Sequence, residues 1–225
     1  MQQIPMDLVS ILPFVVSLVI LVVASLVIYR YWFRERPYTL LVVGLSGSGK
    51  TYISFAAITK DPPMTVTSFV PNIYDYKCLG SKKSIRVIDI PGHERIRSQL
   101  FHKYKSMATT ILFLIDAVTL KQQSETVTSF LYQVMNDRIL RKNKVKIILG
   151  FNYKDLDDKQ KVPIDDLVKT MQFLMHLVKK SMDSYIMAMS NNVDKNPNTD
   201  AITDLSSLEA IEMDRSKFMD LLEHI

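Results

Sequence analysis

An α/β domain with a mostly parallel sheet and flanking helices, preceded by one transmembrane helix, is the fold class that the sequence predicts. Three observations indicate it. Apolar runs of strand length alternate with helical stretches, which is the pattern of a parallel sheet with helical crossovers. One of these strands leads into a glycine-rich loop, and a long uncharged apolar run lies near the N-terminus. The 225 residues are enough for one globular domain beyond that run.

The uncharged run covers residues 8–28. In a helix, about 21 residues rise about 32 Å, which matches a hydrocarbon core of about 30 Å. Tyr29, Tyr31 and Trp32 follow as an interfacial aromatic belt would, arginines accompany them, and no lysine or arginine precedes the run. The positive-inside rule therefore places the N-terminus outside the cytosol. We predict four segments: a short N-terminus (1–7), the transmembrane helix (8–29), a basic juxtamembrane linker (30–37) and a cytosolic domain (38–225).

The first strand of the domain leads into the strongest motif of the chain. Residues 44–51 read GLSGSGKT and match G-x-x-x-x-G-K-[ST], the P-loop of nucleotide-binding proteins. An apolar strand precedes the loop and a helical stretch follows it, so backbone N–H groups and a helix N-terminus can surround a phosphate. Lys50 can reach the β- and γ-phosphates, and the Thr51 hydroxyl can hold Mg²⁺. The predicted nucleotide ligands of this P-loop NTPase domain are Gly44, Leu45, Ser46, Gly47, Ser48, Gly49, Lys50 and Thr51.

The elements after the P-loop helix alternate as the fold class requires. Apolar runs predict strands, and apolar residues at helical spacing predict the helices between them. A segment rich in asparagine, aspartate and proline predicts a loop near the C-terminus. In chain order the predicted elements are strand 84–90, strand 110–116, helix 123–141, strand 145–150, helix 164–182, strand 185–189, loop 191–203 and helix 207–222.

Composition and charge exclude several function classes. The formal net charge is +5, but no basic stripe with interleaved aromatic residues is present, so direct sequence-specific nucleic acid binding is not expected. Cys78 is the only cysteine, which excludes an internal disulfide and a cysteine-based metal site and suits a reducing compartment. Part of the positive charge directly follows the apolar run and can face anionic membrane lipid.

A second motif stands about 40 residues after the P-loop, where Asp89-Ile90-Pro91-Gly92 ends a predicted strand. In a P-loop protein an aspartate at this place can hold the Mg²⁺ shell through water, and the Gly92 N–H can meet the γ-phosphate. D-x-x-G by itself is a weak pattern, and its position at a strand end after a P-loop makes it informative. The charged residues 93–97 follow directly, and we predict that they form a mobile switch.

The anchoring helix, GLSGSGKT and DIPGHERIR together resemble the beta subunits of the signal recognition particle receptor, which are Ras-like, Arf-related GTPases of the endoplasmic reticulum membrane. D-x-P-G-H is the most discriminating part, since most Ras-like proteins have glutamine where His93 stands. The resemblance implies a Ras-like GTPase fold, GTP or GDP with Mg²⁺, and a first switch at residues 63–68. A threonine of that switch would join the Mg²⁺ and γ-phosphate shell; Thr65 is favoured, and Thr67 is the alternative.

The same resemblance implies the partners and the location. The N-terminus would be lumenal, the helix would contact membrane lipid, and the cytosolic domain would form a heterodimer with the receptor's alpha subunit. The pair would direct ribosome–nascent-chain complexes to the translocon, with ribosome or translocon contact. An Arf-like trafficking GTPase is a weaker alternative, because such proteins usually attach through an N-terminal lipid rather than a built-in helix.

Base recognition is where the sequence departs from the family pattern N-K-x-D. The chain has Asn152, Tyr153, Lys154 and Asp155 after a strand. Asp155 can accept hydrogen bonds from the guanine N1–H and amino group, which adenine lacks, so a site built this way discriminates strongly. The missing lysine normally packs against the base; Tyr153 could stack instead, or Lys154 could shift into its place. Ser190, after the predicted last strand, is the candidate for the family's S-A-K position.

GTP hydrolysis requires a residue that orients the attacking water. His93 is the one evident candidate for orienting the attacking water, and the alternative is that it caps or packs within the switch. No residue is identifiable as an arginine finger, so we expect intrinsic GTP hydrolysis to be slow and to need a partner. A GTP-dependent switch and a membrane tether with a structural, rarely hydrolysed nucleotide both remain open.

Overall fold

The computed structural model describes residues 6–32, 38–59, 69–78, 83–153, 156, 160–189 and 202–224. The chain divides into two compact units, Met1–Pro37 and Tyr38–Ile225. The second unit contains all the strands among the described residues. The helices and strands are α1 (Met6–Trp32), β1 (Tyr38–Val43), α2 (Lys50–Thr59), β2 (Asn72–Lys77), β3 (Ser84–Asp89), α3 (Glu94–Tyr104), β4 (Thr110–Asp116), α4 (Leu120–Met135), α5 (Arg138–Lys142), β5 (Lys146–Asn152), α6 (Ile164–Met189), β6 (Glu209–Glu212) and α7 (Arg215–His224), with a 3₁₀ turn at Lys105–Met107.

Helix α1 is apolar around its whole circumference. The window Pro13–Arg30 has a mean hydropathy of 2.3, and none of it is buried within the protein, so it is long and apolar enough to cross a membrane. Two of its serines are satisfied locally, because Ser17 Oγ donates to the Phe14 carbonyl and Ser25 Oγ donates to the Leu21 carbonyl. Such internal bonding removes most of the cost of placing a hydroxyl in hydrocarbon. The apolar helix predicted near the N-terminus is therefore present.

The domain is built on a six-stranded sheet with the order β2-β3-β1-β4-β5-β6. Every neighbouring pair is parallel except β2 and β3, which are antiparallel. All seven residues of the central strand β4 are buried, as expected for a parallel strand covered on both faces. The mostly parallel α/β fold class is confirmed, as are the strands predicted at 84–90, 110–116 and 145–150.

Two apolar cores cover the two faces of the sheet. Leu41 and Val43 of β1 point into one core, which α3, α4 and α6 complete. Leu40 and Val42 point into the other, which α2 and α7 complete. This alternation follows from the two-residue period of a strand. The helices thus leave the carboxyl ends of β1, β3, β4 and β5 together at one edge, where ligands of open α/β sheets bind.

The prediction of a strand at 185–189 is wrong. The α6 helix runs from Ile164 to Met189, and the last strand is β6, which pairs in parallel with β5. A short apolar run does not distinguish a buried strand from a helix, and alanine and methionine favour continuing a helix once it has started. The helix predicted at 207–222 is accordingly divided into β6 and α7. The loop predicted at 191–203 lies outside the described residues except for Ile202 and Thr203.

Two further differences from the predicted elements are a helix that is divided in two and an additional strand at the edge of the sheet. The helix predicted at 123–141 is two helices, because the Asp137 carboxylate accepts hydrogen bonds from the N–H groups of Ile139 and Leu140 and starts α5. The strand β2 was not predicted. It lies at the edge of the sheet, and its exposure alternates along its length instead of forming an apolar run.

Candidate nucleotide-binding site

The predicted P-loop lies between the end of β1 and the start of α2. Gly49 has φ +87°, a left-handed conformation that favours glycine. A Cβ atom on Gly49 would stand 2.2 Å from the Asn152 side-chain nitrogen, so the close approach of β5 also requires glycine here. The Asn152 Nδ2 group donates to the Ser48 carbonyl at 3.0 Å and thereby ties the end of β5 to the loop. The structure thus brings Asn152 together with the P-loop, a contact that the sequence did not predict.

Lys50 lies inside the loop that precedes it. Only 5% of the residue is exposed, and its Nζ donates to the Leu45 carbonyl at 2.6 Å and to Ser48 Oγ at 3.2 Å. Burial lowers the pKa of Lys50 to about 8, while the nearby Asp89 carboxylate opposes this shift. A buried ammonium needs a counter-charge, and a phosphate within the loop would supply it.

Thr51 and Asp89 form the second part of the site. The Thr51 hydroxyl donates to Asp89 Oδ2 at 2.6 Å, and the Asn72 amide donates to the same oxygen at 3.3 Å. Asp89 is 1% exposed, and its Oδ1 atom accepts no hydrogen bond from the described residues. Burial raises the pKa of Asp89, which the two hydrogen bonds and the Lys50 charge counteract. A hydroxyl oxygen beside a carboxylate oxygen without a partner fits a hydrated Mg²⁺ ion.

The D-x-x-G segment packs directly on the P-loop. A Cβ atom on Gly92 would lie 2.4 Å from the Leu45 carbonyl carbon and from the Ser46 nitrogen, so the backbones touch where only glycine fits. His93 follows as the N-cap of α3, with Nδ1 accepting from the Arg95 N–H at 3.4 Å. Its ring lies 5.3 Å from the Phe69 ring. The structure therefore shows the capping and packing role for His93, and the orientation of water stays a prediction.

Tyr153 is directed into the protein rather than toward a ligand. The residue is 5% exposed within the core, and its hydroxyl donates to the Val162 carbonyl. The Lys161 ammonium lies 5.6 Å from the centre of its ring. Burial raises the pKa of Tyr153, as expected for a phenol held in an apolar setting. A ring with so little free surface does not support the predicted stacking on a base.

Several predicted residues cannot be located. Thr65, Thr67, Lys154, Asp155 and Ser190 lie outside the described residues. The residues before Ser190 are the end of α6 and not the strand that was predicted at 185–189. The strand beside β5 is β6, and the Met213 N–H after it donates to the Phe151 carbonyl at 2.8 Å. Since parallel strands end at a common edge, the loop that begins at Met213 lies beside the end of β5.

Sequence reasoning also missed two polar residues of this edge. Asn72 has no motif around it, and only the pairing of β2 with β3 places it opposite Asp89. Asp116 ends β4, where its carboxylate accepts from the Val118 N–H at 3.0 Å and from the Thr119 hydroxyl at 2.8 Å. Asp116 could have been suspected, because a polar residue that ends a buried parallel strand lies at the ligand edge of the sheet.

Comparisons with known proteins agree with this arrangement. Residues 35–214 match the family model of the signal recognition particle receptor beta subunit. The mouse signal recognition particle receptor subunit beta is 33% identical over 138 residues, which cover 60% of this chain and 51% of the relative. The chain thus spans about half the length of the curated relatives it matches.

Solved structures show the same fold. The mammalian signal recognition particle receptor has a TM-score of 0.61 at 23% identity, covering 83% of this chain and 98% of that one. A signal recognition particle receptor SRb-GTP/SRX complex from Chaetomium thermophilum has a TM-score of 0.60 at 17% identity, covering 84% and 99%. With the family match over most of its length, the chain belongs to the signal recognition particle receptor beta subunit family and has its Ras-like GTPase fold.

Proposed function

We propose that this chain is a membrane-anchored small GTPase that acts as the beta subunit of the signal recognition particle receptor. The observation that carries the proposal is the buried Lys50 ammonium inside the P-loop, next to the Thr51–Asp89 pair. The phosphates of a nucleotide and its metal ion require a buried cation and a carboxylate with a free oxygen. Asp89 fits this need, because its Oδ2 accepts from the Thr51 hydroxyl at 2.6 Å while its Oδ1 has no partner among the described residues.

In this mechanism the chain mainly binds and orients GTP or GDP. Lys50 and the N–H groups of the loop would hold the phosphates. Thr51 and a switch threonine (Thr65, with Thr67 as the alternative) would hold Mg²⁺, and Asp89 would hold its shell through water. Mg²⁺ would neutralise charge on the phosphate oxygens. The Gly92 N–H is the group that distinguishes GTP from GDP, and Asp155 is the residue that selects guanine. Because no residue is identifiable as an arginine finger, intrinsic hydrolysis is slow and depends on a partner.

The proposed setting follows from the family. GTP-dependent recruitment of the receptor's alpha subunit would serve the co-translational targeting of nascent chains to the endoplasmic reticulum, and the neighbouring structure named as an SRb-GTP/SRX complex supports a heterodimer. Helix α1 supports anchoring in that membrane through lipid contact, with the N-terminus lumenal and the domain cytosolic. Ribosome or translocon contact belongs to the same proposal.

A membrane tether with a structural nucleotide is the second candidate. The capping contact of His93 favours it, since Nδ1 accepts from the Arg95 N–H in the helix cap and is then not free for water. In this case the heterodimer would be permanent, and GTP would stay bound without turnover.

Nucleotide affinity tests the proposal. We expect the full-length chain in detergent to bind GTP and GDP with Mg²⁺ at least about 100-fold more tightly than ATP, since a site that hydrogen-bonds guanine leaves its acceptors unpaired with adenine. Titration calorimetry with the three nucleotides measures this. Equal affinities would contradict the guanine-binding function and favour the tether, while GTP left intact through a long incubation would favour a switch that needs a partner for hydrolysis.

Restoring the family lysine by Tyr153→Lys is expected to destabilise the protein. The substitution removes a core aromatic ring and buries an ammonium, which costs roughly 3 kcal/mol and lowers the Tm by roughly 5–10 °C. Circular dichroism melts and GDP titration give the result, and Tyr153→Phe, which loses only the bond to the Val162 carbonyl, serves as the control. Tighter GDP binding by Tyr153→Lys at an unchanged Tm would mean that position 153 contacts the base.

Deleting residues 8–28 is expected to release the chain from membranes, because no other described helix is long and apolar enough to span one. The measurement is the fraction that pellets with carbonate-washed membranes. An unrelated uncharged apolar segment of equal length in the same place should restore pelleting. A deletion variant that still pellets would show that α1 is not the anchor.

A further inference from the structure

We propose that Asn72 is a magnesium-positioning residue: from the edge strand β2, its side-chain amide holds the Asp89 carboxylate so that the free carboxylate oxygen is available to the metal ion and its water. This inference rests on the proposed binding of a nucleotide with Mg²⁺. It assigns a role to a residue that lies outside the P-loop, the D-x-x-G segment and the base-reading segment.

The sheet brings Asn72 to Asp89. The two residues are directly opposite each other in the antiparallel register of β2 and β3, at the first residue of β2 and the last residue of β3. The Asn72 Nδ2 group donates to Asp89 Oδ2 at 3.3 Å. The contact therefore spans two strands, and the position of the edge strand determines it.

The carboxylate is held through one oxygen only. Asp89 Oδ2 accepts from Thr51 at 2.6 Å on the α2 side and from Asn72 on the β2 side. Oδ1 is buried and has no hydrogen-bond partner among the described residues. Two donors from different elements fix the orientation of the carboxylate, because turning the group away from them would break both bonds. Oδ1 then keeps its lone pairs for a cation or a metal-bound water.

The two donors have different relations to the metal. The Thr51 oxygen is itself a candidate ligand, so its geometry changes when the ion binds. The Asn72 nitrogen cannot ligate a cation, because an amide NH₂ is a donor only. Asn72 is thus the donor that orients Asp89 whether or not the ion is present. Residues that hydrogen-bond to a metal-binding carboxylate without touching the metal commonly have this role.

The test compares the Mg²⁺ requirement of nucleotide retention in full-length variants loaded with GDP in detergent. The free Mg²⁺ concentration that slows GDP release by half is expected to rise roughly 10-fold in Asn72→Ala. This is the low end of the loss in metal affinity when a residue that hydrogen-bonds to a metal ligand is removed. The release rate in excess EDTA should not change, because the amide does not contact the nucleotide. Asp75→Asn is the matched control, since it alters the same strand at an exposed pair with Arg86.

Asn72→Leu is a second variant that removes the donor while filling the same space, and it should shift the Mg²⁺ midpoint as Asn72→Ala does. A wild-type midpoint in both variants, or a faster release that is equal with Mg²⁺ and with EDTA, would overturn the proposal for Asn72 alone. If the wild-type protein binds no GDP, or if its GDP release rate does not depend on Mg²⁺, both the proposed function and this inference are overturned.

Discussion

Replacing Lys50 by alanine is expected to abolish tight nucleotide binding. The ammonium is buried inside the P-loop, 2.6 Å from the Leu45 carbonyl, so its charge and donors are held where a phosphate would lie. Charge-assisted hydrogen bonds contribute about 1.5–3 kcal/mol each, and the loss of two lowers GDP affinity roughly 100- to 10,000-fold. Titration calorimetry of the full-length chain with GDP and Mg²⁺ measures the change.

A matched control separates this effect from a general loss of charge. Lys169→Ala removes an exposed lysine whose partner is Asp166 on the same helix, and it should leave GDP affinity unchanged. A circular dichroism spectrum is needed for Lys50→Ala, because the substitution also removes a counter-charge from the buried Asp89. A folded Lys50→Ala protein with wild-type affinity would contradict the assignment of residues 44–51 as a phosphate-binding loop.

The parts of the fold that the sequence predicts well are local. The strand, loop and helix around the P-loop follow each other within 22 residues of chain, from Tyr38 to Thr59, and each has its own signal. Strand β4 is recognisable because all of its residues are buried, which leaves a continuous apolar run. The sequence itself carries these features, since they depend on neighbouring residues.

Elements whose identity depends on distant partners were missed or misassigned. Strand β2 pairs only with β3, so its alternating and half-exposed residues give no apolar run to detect. Residues 185–189 form the end of α6, although their apolar character fits a strand equally well. The pairing of β6 with β5 decides between the two, and it spans about 60 residues of chain.

The same distinction applies to the candidate site. The motif places Lys50 and Thr51, but the contacts of Asn152 with Ser48 and of Asn72 with Asp89 exist only through tertiary structure. For Tyr153, the motif suggested a contact that the structure does not show. Its place in the base-reading segment suggested a contact with the base, whereas its hydroxyl donates to the Val162 carbonyl inside the fold. Position in a motif did not determine the direction of the side chain.

Replacing Asp155 by asparagine is expected to change the preferred base from guanine to xanthine. A carboxylate accepts from both the N1–H and the amino group of guanine, whereas an amide offers one acceptor and an NH₂ donor. Xanthine carries an oxygen where guanine carries the amino group, so it matches the amide. Each mismatched group costs about 1–3 kcal/mol, so GDP affinity should fall roughly 10- to 100-fold and xanthosine diphosphate affinity should rise by a similar factor.

Competition titrations with the two diphosphates measure this ratio, and Asp165→Asn, at an exposed position in the first turn of α6, is the control. An unchanged ratio would mean that Asp155 does not read the base.

Variants at position 153 distinguish recognition of the base from positioning of the segment that contacts it. Because Tyr153 holds this segment from the interior, its variants should weaken both nucleotides equally, whereas Asp155→Asn should exchange one for the other. Loss of both nucleotides without a change in ratio would therefore identify a displaced loop, and inversion of the ratio would identify the residue that touches the base.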